Sequence, residues 1–134
     1  YTIETAELMP DTLYDFRPTD EQMTFREQLL HIAGNMAWLS SSYLGGQRPD
    51  RDLRSADYDK TEILAILREG FELAGKAAAE LPAAALEEKV EFFAGPMTKR
   101  QIVTLMNDHV THHRGQLIVY LRLNGIKPPR YRGW

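Results

Sequence analysis

Between Thr98 and Asn124, Ile102, Met106, His109, His113, Leu117 and Tyr120 recur at steps of three and four. In an α-helix that spacing places them on one face. Both ends of the run are marked. Thr98-Lys99-Arg100-Gln101 is a capping box, in which the threonine hydroxyl and the glutamine side chain satisfy each other's backbone N–H groups. Gly125 is placed for a left-handed C-cap, Ile126 for its hydrophobic contact, and Pro128-Pro129 for the stop. A helix this long carries an apolar side that other elements must cover.

The rest of the chain supplies them. Thr24-Phe25-Arg26-Glu27 is a second capping box and predicts a helix to about Leu44, ahead of Gly45-Gly46. Phe25, Leu29, Ala33 and Met36 form its core stripe, with His31, Asn35 and Trp38 on an adjoining one. Asp59-Lys60-Thr61-Glu62 opens another helix, predicted to about Leu81, with Ile63, Ile66, Leu67, Phe71, Ala74 and Ala78 buried. Thr2 to Met9 reads as a short helical piece with Ile3, Ala6 and Leu8, ended by Pro10. Its length predicts that the chain begins inside a longer first helix. Asp11 to Asp20 is a connection anchored by Tyr14 and Phe16, and Gln47 to Tyr58 is a polar surface loop. Ala83 to Met97 reads as a loop, briefly extended at Val90-Glu91-Phe92, with Phe92 or Phe93 covering the core. The fold class is therefore all-α: an antiparallel four-helix bundle in one domain, residues 1–134.

Composition narrows the function classes. Sixteen Lys and Arg against nineteen Asp and Glu leave a net charge of −3 with no basic patch or arm, which argues against nucleic acid as a partner. No apolar run is long enough to span a bilayer. Cysteine is absent, which fits a cytoplasmic location and leaves any metal to nitrogen and oxygen ligands.

Three of the four histidines lie in His109-Val110-Thr111-His112-His113. His109 and His113 stand one helical turn apart on the apolar face, where two imidazoles can reach a single metal ion. Burying both without a shared purpose is costly. His112 is offset by about 100° from His113 and belongs to a helix boundary or solvent. His31 is the remaining histidine and lies on a helix that packs in the same bundle, so it is the third candidate ligand. Val110 occupies the place where a zincin peptidase has its glutamate base. Met106 and Gln28 stand where a di-iron bundle would have Glu-x-x-His carboxylates. Both classes are disfavoured. Gly115 in mid-helix suggests close helix approach or access to a pocket. Arg114 is either paired with a carboxylate or solvated, and Tyr120 either borders the pocket or packs.

Asp15-Phe16-Arg17-Pro18, Phe25-Arg26-Glu27-Gln28-Leu29-Leu30-His31-Ile32-Ala33, His109-Val110-Thr111-His112-His113-Arg114-Gly115-Gln116 and Tyr120 through Pro129 resemble, in order, the DinB family of small DinB/YfiT-like metalloproteins. The DNA polymerase of the same name is a different protein. The resemblance implies a bundle with up-down-down-up connectivity, frequent dimerisation, and a divalent metal on three histidines, which fall here on His31, His109 and His113. It also implies a first helix longer than Thr2 to Met9. Some members of the superfamily are transferases or isomerases that use low-molecular-weight thiols.

The expected cofactor is thus a divalent metal ion, zinc or nickel before iron or manganese, since imidazole suits several metals. The expected activity is a metal-dependent transfer reaction between a small-molecule substrate and a low-molecular-weight thiol. The alternatives are a metal-dependent hydrolase or a structural metal site. No fourth ligand stands out beyond Asn35, and Glu27 or Asp108 are the carboxylates available as a base. A homodimer is expected from the resemblance and from Trp38 and Trp134, which a small bundle leaves over.

Overall fold

A computed structural model describes residues 1–53 and 57–132. It contains four helices: α1 (Thr2–Leu8), α2 (Phe25–Tyr43), α3 (Lys60–Ala79) and α4 (Lys99–Leu123). All three capping boxes form, at Thr24, Asp59 and Thr98, each with both reciprocal hydrogen bonds. The end of α4 is a Schellman motif. Gly125 has φ 72°, its N–H donates to Arg122, and the Ile126 N–H donates to Leu121.

α2 and α1 each pack against both α3 and α4. Along α2 and its entry, Met23, Gln28 and His31 meet Tyr120, His113 and His109 of α4, so these helices are antiparallel. Gly70 of α3 faces Ala33 and Met36 of α2, and Ala77 faces Gly46 just beyond it, so α2 and α3 run the same way. At α1, Met9 meets Lys60 while Glu7 meets Arg68, so α1 runs against α3. The connectivity is up-down-down-up. Two neighbouring helices can run the same way only if the chain returns to its starting end between them. This is why the link from α2 to α3 is long. Where α2 and α3 cross, a Cβ on Gly70 would lie 3.2 Å from Met36 Cε, so the small residue permits the approach.

The core holds Phe25, Leu29, Ile32, Met36 and Leu39 from α2, Ile63 and Leu67 from α3, and Ile102, Leu117 and Leu121 from α4, with Tyr14 between α1 and α2. The Tyr14 hydroxyl donates to Ala6 O at 3.0 Å, and Lys60 Nζ donates to Glu7 O and Met9 O. These bonds satisfy carbonyls that the end of a helix leaves open, and they tie down an α1 of only seven residues.

Several sequence expectations are corrected. α1 buries Thr2, Thr5 and Ala6, while Leu8 is exposed. Thr5 can be buried because its hydroxyl bonds to Tyr1 O. On α3, Gly70 and Ala77 are buried, while Phe71 and Ala78 are half-buried. The segment before α4 is more ordered than a loop. A 3-10 turn (Ala83–Glu87) precedes an antiparallel pair of two-residue strands, β1 (Lys89–Val90) and β2 (Met97–Thr98). Phe92 packs on the core, and Phe93 lies exposed, stacked on Trp38. Trp38 is also packed by Tyr43 and Phe92, so it is not left over. Trp134 lies outside the described residues. A Cβ on Gly115 would meet nothing within 4 Å, so that glycine serves no close approach. Arg114 pairs with no carboxylate among the described residues, and it does not stand free: its guanidinium lies 4.8 Å from the Tyr1 ring centroid. No helix is long and apolar enough to cross a membrane among the described residues.

Candidate metal centre

Antiparallel packing of α2 on α4 brings His31 against His109 and His113. The three ring centroids form a triangle with sides of 4.7, 4.6 and 4.4 Å. One ring nitrogen from each residue lies within 4.8 Å of those of the other two. His31 Nε2 and His109 Nε2 face each other at 3.0 Å. His113 is buried, and its Nδ1 is hydrogen-bonded to Gln28 Oε1 at 2.5 Å, which leaves its Nε2 free. His31 is exposed and His109 half-buried, with Val110 taking the core position beside it.

Burial disfavours the charged imidazoles. It pushes His109 and His113 down to about 4, aided by mutual repulsion, and it lowers His31 as well. All three rings are therefore neutral at pH 7 and carry lone pairs. Two facing nitrogens can share only one proton, and His109 Nδ1 is buried with no hydrogen-bond partner among the described residues. The cluster is not satisfied by its own hydrogen bonds. Zinc–imidazole bonds of about 2.0–2.1 Å in a tetrahedron separate ligand nitrogens by about 3.3 Å, so the 3.0 Å pair needs only a small opening. The donor set fits a divalent ion that accepts nitrogen ligands.

His31 also lines a cleft of about 940 Å³. Its walls are the outer face of α2, with Leu30, Asn35 and Trp38, the entry segment around Arg17 and Met23, and the returning α2–α3 link with Arg48 and Leu53. Asn35 Oδ1, one turn beyond His31, is buried without a partner among the described residues. Of the carboxylates named as bases, Glu27 lines the same cleft as His31 and is engaged in a helix cap. Glu27 Oε2 accepts from the Thr24 N–H in the capping box, and Asp108 is exposed. His112 is exposed, as its helical angle predicts, and its Nε2 accepts from Gln116 Nε2 at 2.8 Å.

Sequence reasoning missed two things. Gln28 entered it only as a missing glutamate, although a polar residue inside an otherwise apolar buried stripe was the available signal. Arg48 carried no signal, because its place in the cleft that His31 lines depends on the path of the link.

Fold and site together define a class: a small up-down-down-up helical bundle with a histidine-only centre shared between α2 and α4. Within that class the chain belongs to the DinB family, whose model matches residues 2–133. Two solved structures share its fold. A DinB-like protein from Bacillus subtilis is 22% identical with a TM-score of 0.79, covering 98% of this chain and 89% of its own. A DinB-like protein from Bacillus cereus is 20% identical with a TM-score of 0.83, covering 98% and 88%. No curated protein matches the sequence.

Proposed function

We propose that His31, His109 and His113 hold a divalent metal ion, zinc or nickel in the first instance, and that the protein transfers a small electrophilic substrate onto a low-molecular-weight thiol. The observation that carries this reading is the position of His31. It belongs both to the imidazole triangle and to the wall of the cleft, so the centre adjoins a space of about 940 Å³ in which small molecules fit. A closed structural zinc site normally has four protein ligands, whereas catalytic sites keep a position open. Here three imidazoles converge, and among the described residues no further His, Asp or Glu joins them.

When bound, the ion supplies Lewis acidity and favours the deprotonated form of a thiol or water that it contacts. The protein's own groups do the rest. Trp38, Leu30 and Leu53 offer apolar wall, and Arg48 offers a cation with no ion-pair partner among the described residues. This lining suits a substrate with an apolar body and an anionic end. In the transfer, the thiol gives up its proton to solvent and its sulfur bonds to the electrophilic carbon. The leaving group departs with the bonding electron pair, or, in an addition, the pair moves onto the substrate.

The thiol reading is favoured over hydrolysis because among the described residues no Asp or Glu joins the three imidazoles as a base on water, and Glu27, which lines the cleft, has Oε2 committed to its cap. A screen of zinc- or nickel-loaded protein with electrophiles, with and without glutathione, bacillithiol or mycothiol, tests it. Turnover that depends on both metal and thiol is expected. Metal-dependent turnover without thiol would leave hydrolysis, and no turnover would favour a structural site. The proposal extends to a homodimer, which sedimentation at working concentration tests, a monomer being the contrary result.

A further inference from the structure

We propose that Gln28 is a positioning residue that holds His113 in the one tautomer able to bind a metal through Nε2, and that Tyr120 and the Met23 carbonyl set the direction of the Gln28 amide. The purpose assigned to Gln28 rests on the metal-centre reading above; its hydrogen-bond geometry does not.

The chain of bonds can be followed from an end that has no freedom. Met23 O is a backbone carbonyl and can only accept. Tyr120 Oη lies 2.8 Å from it, so the single phenolic proton points there. Tyr120 can then only accept from Gln28, whose nearer terminal atom lies at 3.4 Å. That atom must be the NH2 group. Its other proton goes to Gln116 Oε1 at 2.6 Å. The amide oxygen is left facing His113 Nδ1 at 2.5 Å, so Nδ1 must carry the hydrogen. His113 Nε2 is then bare, with its lone pair available. This assignment follows from the carbonyl and not from the choice between oxygen and nitrogen on a glutamine, which coordinates alone leave open.

Burial makes the arrangement costly to violate. Gln28 and Tyr120 are each 2% exposed. Reversing the amide would place its oxygen against a phenolic oxygen whose proton is already committed, and would turn His113 to the tautomer with hydrogen on Nε2. Buried polar groups left unmatched in this way are strongly disfavoured. His31 and His109 have no such holder: they share one hydrogen between two Nε2 atoms, and His109 Nδ1 is unpartnered among the described residues. His113 is thus the fixed member of the triangle. The same bonds tie Tyr120 of α4 to the residue just before the α2 cap, so metal-ligand orientation and α2–α4 register are set by one set of contacts.

The test begins with chelated wild-type protein labelled with 15N. Long-range ring correlations near neutral pH should show His113 with Nδ1–H and a bare Nε2; the Nε2–H tautomer would overturn the assignment. Zinc affinity is then measured by chelator competition. Gln28→Leu, which keeps the volume, should bind zinc about 10- to 100-fold more weakly and lose the single tautomer. Gln28→Glu, which still accepts from Nδ1–H but loses the donor to Tyr120 and Gln116, should keep the single tautomer and bind zinc more tightly than Gln28→Leu. Wild-type affinity in a folded Gln28→Leu protein would overturn the proposal. A wild-type protein in the expected tautomer that takes up no zinc would overturn the metal reading, and with it the purpose of Gln28. The wrong tautomer would overturn the Gln28 assignment alone.

Discussion

His31 Nε2 and His109 Nε2 lie 3.0 Å apart across 78 residues of chain. The contact exists because α2 and α4 run antiparallel in one register, with Met23 at Tyr120 and Gln28 at His113 as the two neighbouring rungs. A shift of α4 by one helical turn, about 5.4 Å, would separate the rings.

Wild-type protein is expected to carry near-stoichiometric metal, and His109→Ala and His113→Ala are each expected to lose most of it, because two neutral imidazoles hold a divalent ion far less well than three. His112→Ala is expected to keep it, since that ring is exposed and its Nε2 is engaged by Gln116. Elemental analysis of protein purified without added metal decides; unchanged metal in both of the first two variants would remove the centre.

Acid should destabilise the metal-free protein over a defined window. Unfolded histidine titrates at about 6.5, and burial holds His109 and His113 at about 4 in the fold. Between those values the unfolded chain binds more protons, so stability rises with pH there. Thermal melts in chelator should give a Tm that is level above about pH 7 and falls between about pH 6.5 and 4. A His109→Gln, His113→Gln double variant should lose much of that slope.

Gly115→Ala should stabilise the protein by about 1 kcal/mol, because the new methyl meets no atom within 4 Å and alanine is the better helix former. Gly125→Ala should do the reverse by about 1–2 kcal/mol, since φ there is 72°. Urea denaturation of the pair measures both signs.

Tyr14→Phe should cost about 1–2 kcal/mol, leaving Ala6 O at the end of α1 without its buried donor. Lys60→Met should loosen the same helix by freeing Glu7 O and Met9 O. Hydrogen exchange should show faster opening in α1 for both variants, with α4 unchanged; equal protection in α1 would show that its packing alone holds it.

The three long helices, their caps and the Gly125 stop were legible from residue order, because capping boxes and 3.6-residue periodicity are local. The pairing of His109 with His113 was legible for the same reason: i and i+4 share a face whatever the helix packs against. The failures were of another kind. Ala77 rather than Ala78, and Thr5 rather than Leu8, are buried because neighbouring helices select which edge of an apolar stripe is covered. Periodicity sets a face only to within part of a turn. The convergence of His31, the capture of His113 by Gln28, and the cleft walled by Arg48 depend on α2 running against α4 and on the return path that lets α3 run beside α2. Those are relations between segments distant in the chain. They are decided by which packing buries the most apolar surface while leaving the fewest polar groups unmatched, and that balance is struck only in the folded molecule.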